Sequence, residues 1–197
     1  MLEAPAPARL VEDFANTVDV ELGTDDLAEI ADLAPWLRSH GLLDRARRVT
    51  AADHALALGL RTGIREELGV HVGDDADPDL VDGAARSLRE LPVLIRVGAG
   101  GEGAAGGVLA PAPELPPVRQ ALARIAIAWS ELAVTGEASR LKRCAEHSCA
   151  LVFWDTSKNR SRRWCSMRVC GNRAKSRRYT AKRTRGAESS GGESAAP

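Results

Sequence analysis

The chain has 197 residues, 44% of them apolar, with 27 basic and 27 acidic residues, which is enough length and apolar content for one ordinary domain with a real core and a small companion. Its first twenty residues lack a basic stretch followed by an apolar one, and the most apolar later window, "ALARIAIAWSELAV", is short and carries Arg124 and Glu131, so nothing suggests secretion or a membrane and a cytoplasmic location is expected. The net charge of zero conceals a split: residues 1–137 hold 12 arginines, no lysine and 23 acids, a net −11, whereas residues 138–185 hold 15 basic residues against only Glu146 and Asp155, a net +13.

Helices dominate the first 137 residues. "ARLVEDFANTV" places Leu10, Phe14 and Val18 on one face, and "IADLAPWLRSHG" predicts a short helix with Leu33, Trp36 and Leu37 inward, ending at Gly41. Thr50 is the expected N-cap of a helix carrying Leu56, Leu60, Ile64 and Leu68 at four-residue spacing. Asp77 and Pro78 open the next helix, and Pro92 stops it. Two β-prone runs, Val93–Val97 and Val108–Leu109, then predict a hairpin whose glycine-rich connector has no phosphate-loop spacing and reads as a surface loop. The strongest helical stripe follows, Val118, Leu122, Ile125, Trp129 and Leu132, ended by Gly136. Apolar periodicity stops there, which sets the domain boundary. The tail, residues 186–197, is small and polar and is expected to be disordered.

All four cysteines fall between positions 144 and 170 in the pattern C-x4-C-x15-C-x4-C. Each short pair supplies two ligands from one turn, and the intervening ribbon brings the pairs together, so Cys144, Cys149, Cys165 and Cys170 are assigned to one zinc ion. Four sulfurs leave no open position, which makes the metal structural. Disulfides would need an oxidising compartment, and unpaired core cysteines would not gather into two matched pairs. His147, inside the first pair, has poor spacing for a ligand and is placed outside the metal shell. Val152, Phe153, Trp154 and Trp164 form the expected miniature core of a unit that depends on its metal to fold.

Beyond Cys170, "GNRAKSRRYTAKRTR" has helix formers, yet Arg173/Arg177 and Arg178/Lys182 are like-charge pairs four residues apart, with no carboxylate between positions 156 and 187 to relieve them. Part of this charge is expected to balance a zinc tetrathiolate, through Lys142, Arg143 or Arg168. The remainder suits an external polyanion. The four histidines, His40, His54, His71 and His147, form no motif with a nucleophile, so no enzyme is expected.

Residues 141–179, with the spaced cysteines, Phe153, Asp155, Arg163-Trp164-Cys165, Cys170-Gly171-Asn172-Arg173 and Lys175, resemble the CGNR zinc finger. The upstream "DFANTV", "DLAPWLRSHGLL" and "ALGLRTGIREEL" resemble the ABATE domain of stress-induced transcription regulators. The resemblance implies a sensing domain followed by a DNA-binding finger. The expected fold is mainly α (α+β): an acidic helical domain with a β-hairpin over 1–137, a four-cysteine finger ending in a basic helix over 138–185, and the tail. Arg173, Lys175, Arg177, Arg178 and Lys182 are expected to face nucleic acid, with Arg162, Arg163 and Arg168 as further phosphate contacts. Asn16, Trp36 and Arg61 are the candidate pocket for a small-molecule effector. Rival readings are an RNA-binding module, disfavoured because only Tyr179 stands among the basic residues as a stacking group, and a protein-interaction adaptor.

Overall fold

The computed structural model describes residues 3–97 and 108–190. Among these, the elements run α1 (Ala6–Ala15), β1 (Val18–Asp19), β2 (Thr24–Asp25), α2 (Ile30–Ser39), α3 (Ala51–Val70), α4 (Pro78–Arg89), β3 (Val93–Ile95), β4 (Leu109–Pro111), α5 (Pro117–Thr135), a 3-10 turn (Glu137–Arg140), β5 (Leu141–Arg143), β6 (Val152–Trp154), a π-helical turn (Met167–Gly171) and α6 (Asn172–Ser190). Each sheet is an antiparallel pair: β1 with β2, β3 with β4, and β5 with β6. The molecule is therefore mainly helical, as expected. The glycine-rich connector expected as a loop, residues 98–107, lies outside the described residues, as do 191–197 of the tail; residues 186–190 continue α6.

Local chemistry sets most helix ends. The Thr50 hydroxyl accepts from the Asp53 N–H while the Asp53 carboxylate accepts from the Thr50 N–H, both at 3.1 Å, a reciprocal cap that starts α3. Asp77 accepts from the Asp79 N–H at 2.9 Å with Pro78 at the first helical position of α4. Gly136, at φ 72°, closes α5 in a left-handed conformation that a side chain would strain.

The α1 face differs from the sequence expectation. Val11, Phe14 and Ala15 are buried, Leu10 is half-buried, and Val18 lies in β1. The helix stops at Ala15, so its period cannot extend to Val18. The β3–β4 hairpin is present but shorter on its first strand than Val93–Val97, and its second runs to Pro111.

The core gathers α1, α2, α3 and α5, with Phe14, Leu33, Leu37, Leu60, Leu68, Leu122, Ile125 and Leu132 fully or almost fully buried. Leu141, Val152 and Trp154 of β5 and β6 belong to that same core. Residues on both sides of the expected boundary at residue 137 thus contribute to one core. Polar groups pin the seam. The Asn16 side chain donates to the Val152 carbonyl at 2.9 Å and accepts from the Val152 N–H at 2.8 Å, and His71 Nδ1 lies 2.8 Å from the Leu141 carbonyl oxygen. Asn16→Ala strands both main-chain groups of buried Val152, so it is expected to lower stability by roughly 1–3 kcal/mol. Chemical denaturation should show this as a lower midpoint at unchanged slope.

Candidate metal centre and its basic helix

The β5–β6 hairpin delivers the first cysteine pair. Cys144 follows β5 directly and its N–H donates to the Leu151 carbonyl at 2.8 Å; the N–H groups of Cys149 and Ala150 both donate to the Glu146 carbonyl at 2.8 Å. The Ala145 N–H then donates to the Arg163 carbonyl at 2.8 Å and ties this turn to the second pair. Ser166 caps the π-helical turn that carries Cys170, and Gly171 packs under the exposed Met167 side chain, which a Cβ at 2.5 Å from its Sδ would displace. Asn172 donates to the Arg168 carbonyl at 2.9 Å, so its amide holds the backbone.

The four sulfurs lie within 4.8 Å of one another, with Cys149 Sγ to Cys165 Sγ at 3.7 Å and Cys165 Sγ to Cys170 Sγ at 3.6 Å. A tetrahedron with zinc–sulfur bonds of about 2.3 Å has edges of about 3.8 Å, so the donor set fits a zinc ion. Burial pushes the Cys170 thiol up to about 11 and that of Cys165 higher still, so a cation is required to hold them as thiolates. The cysteines hold one structural Zn2+. Phe153 and Trp164 pack on the sulfur cluster, whereas Val152 and Trp154 point into the main core, so the expected four-residue miniature core is divided between the two. Strand alternation accounts for the division. His147 is exposed and faces Asp74 at 3.3 Å, away from any ligand role.

Two of the three cations expected to balance the metal, Lys142 and Arg143, are paired elsewhere. Lys142 and Asp155 form a buried pair at 2.8 Å, and the same ammonium donates to the carbonyls of Arg160 and Arg162. Arg143 pairs with Glu66 and with Asp74.

The basic helix also differs from expectation at two positions. Arg177 grips Glu146 through two nitrogens, at 2.8 and 2.5 Å, and Arg173 reaches Glu21 at 2.7 Å. The repulsion between Arg173 and Arg177 is therefore relieved inside the protein, by acids remote in sequence. Arg177 and the Ser148 hydroxyl hold the Glu146 carboxyl at about 2. Arg162 stacks on Phe153 at 4.8 Å and donates to the Cys165 carbonyl at 2.5 Å, a positioning contact. Arg163, Arg168, Lys175 and Arg178 are exposed and make no ion pair among the described residues. Lys182 lies in α6 with its side chain outside the described residues.

Asn16, Trp36 and Arg61 do not converge on a cavity. Asn16 serves the seam described above, Trp36 stacks on His40 at 3.9 Å, and buried Arg61 forms a bidentate pair with Asp25 at 2.6 and 2.7 Å while donating to Thr17. Sequence reasoning missed Glu146 and Asp155 as structural anchors. Their signal was present: they are the two acids in an otherwise basic segment, and both are buried against cations.

A helical body sharing its core with a four-cysteine metal site and a projecting basic helix defines a zinc-finger protein. Residues 140–183 match the CGNR zinc finger, and residues 8–136 match the ABATE family, described as "Putative stress-induced transcription regulator". The chain belongs to the ABATE family and carries a C-terminal CGNR finger, which makes it a zinc-binding protein of a regulatory kind. No curated protein matches the chain. Among the described residues no helix is long and apolar enough to cross a membrane.

Proposed function

We propose that the chain is a cytoplasmic, non-enzymatic transcription regulator whose zinc finger binds duplex DNA and whose helical part senses a small molecule. The observation that carries the DNA reading is the division of labour among the arginines. Arg173 and Arg177 fix α6 to the protein, while Arg163, Arg168, Lys175 and Arg178 stay exposed without ion pairs among the described residues. A rod held by Arg173 and Arg177, with Lys175 and Arg178 exposed along it, is suited to phosphates along a groove.

Four phosphate contacts should give log K against log salt a slope of roughly −4, at ~0.9 per phosphate. Titration of the zinc-loaded chain against duplex DNA, single-stranded DNA and RNA over a salt series measures it. The double variant Lys175→Glu, Arg178→Glu should reduce the slope by about 2. A slope near zero ends the DNA reading, and tighter binding to RNA replaces it with the RNA one.

A further inference from the structure

Between the turn that follows α3 and the first cysteine pair lies an open cleft of about 530 Å3. That volume falls in the range of small-ligand sites, about 300–1,000 Å3. One wall comes from Arg65, Asp74 and Asp75, the other from Arg143, His147 and Ala150 beside the zinc turn.

Arg65 is 7% exposed and makes no ion pair among the described residues. Its Nη1 and Nη2 donate to the main-chain carbonyls of Ala15 at 2.6 Å and Ala150 at 2.9 Å, which leaves three of its five N–H groups without a protein acceptor among those residues. Burial, with Arg143 and Arg61 nearby, lowers its pKa to about 10, so it is still cationic at neutral pH. A buried guanidinium without an anion is costly and calls for one. The two neighbouring arginines contrast with it: Arg61 has Asp25, and Arg143 has Glu66.

The same cleft contains the converse defect. Asp74 Oδ2 is buried and accepts no hydrogen bond, although Arg143 Nη2 is 3.5 Å away. Asp75 is exposed beside it and makes no ion pair among the described residues. A cation without a paired anion, and two carboxylates of which Asp75 has no ion pair among the described residues while Asp74 has only His147 at 3.3 Å and Arg143 at 3.5 Å, line one cleft and are complementary to a molecule with both charges. A free anion would meet Asp74 and Asp75, and a free cation would meet Arg65.

We propose that this cleft binds a small zwitterion of the amino-acid class, its carboxylate on the Arg65 fork and its protonated amine on Asp74 and Asp75. The planar guanidinium suits a carboxylate in particular. Because the walls come from the helical part and from the metal-bearing hairpin, the ligand bridges them, and this names the chemistry of the sensing role on which it rests.

The test uses the zinc-loaded full chain without DNA. Single α-amino acids are titrated by calorimetry and by thermal midpoint, with acetate and methylammonium as half-ligands. At least one amino acid should bind saturably and raise the midpoint by several degrees, with both half-ligands at least tenfold weaker. Arg65→Lys, which keeps the charge and loses the fork, should weaken binding tenfold or more. Should that variant fold poorly, Asp75→Asn alters an exposed side chain and should weaken binding severalfold with the unliganded midpoint unchanged. Absence of binding by any amino acid, equal affinity in Asp75→Asn, or acetate binding as tightly as the amino acid overturns the proposal. The salt dependence of DNA binding is measured separately and stands or falls by itself.

Discussion

Stripping zinc from the reduced chain, or changing Cys165 to Ser, is expected to unfold the two cysteine turns, release α6 and lower the thermal midpoint of the helical body as well. The sulfurs sit 3.6 to 3.7 Å apart at the two closest contacts described, and Cys144, Cys149 and Cys170 are buried. Without the cation they revert to thiols, and the turns keep only their few main-chain bonds. Structural zinc contributes about 10–16 kcal/mol in isolated finger peptides, so this should be the largest single loss available in the molecule. A finger that alone depended on its metal to fold would leave the first 137 residues intact. The structure argues otherwise, because Leu141, Val152 and Trp154 complete the core that α1, α3 and α5 begin. Near-UV circular dichroism of the tryptophans, thiol counting and hydrogen exchange across α1 would follow the loss together. A reduced, metal-free chain that melts at the unchanged temperature contradicts the zinc assignment.

Lys142→Met should cost about 3–5 kcal/mol, the usual penalty for breaking one side of a buried ion pair. Lys142 and Asp155 are 3% and 0% exposed, and the ammonium also gathers the carbonyls of Arg160 and Arg162, so one side chain closes the ribbon between the cysteine pairs. The damage should be partly repaired by adding Asp155→Leu, which removes the stranded charge. Burial by itself would raise the Asp155 carboxyl, but Lys142 and the N–H groups of Ser157 and Arg162 outweigh it and hold the group at about 2, below its ordinary 3.8. With the folded value depressed, this stabilisation is complete above about pH 4 and is lost as the pH falls towards 2. Denaturation midpoints at pH 7 and at a series of pH values between 4 and 2 for the wild type, the single variant and the double variant measure both effects. Equal stability of Lys142→Met and wild type at pH 7 would show that the pair contributes nothing.

What could be read from the sequence was local. The Thr50 and Asp77 caps, the Gly136 stop, the α5 stripe and the cysteine spacing are each decided within a few neighbouring residues, and each appears in the structure. The contacts that escaped are polar and distant. Asn16 meets Val152, Arg173 meets Glu21, and Arg65 reaches Ala150, and no periodicity records such pairs. Charge counting treated every arginine of α6 alike, because it cannot distinguish a cation held by a remote acid from one left to solvent. The α1 face was misread for a simpler reason: the helix ends three residues before Val18.

The π-helical turn around Cys170 passes into α6 without a linker. Cys170 and the rod are therefore parts of one uninterrupted helical stretch, and the azimuth at which Lys175 and Arg178 look outward is set from the cysteine site. Each residue inserted at that junction would rotate the display by about 100°. In the proposed DNA-binding role, target preference would be freer to change through which side chains are shown than through the bearing on which they are shown.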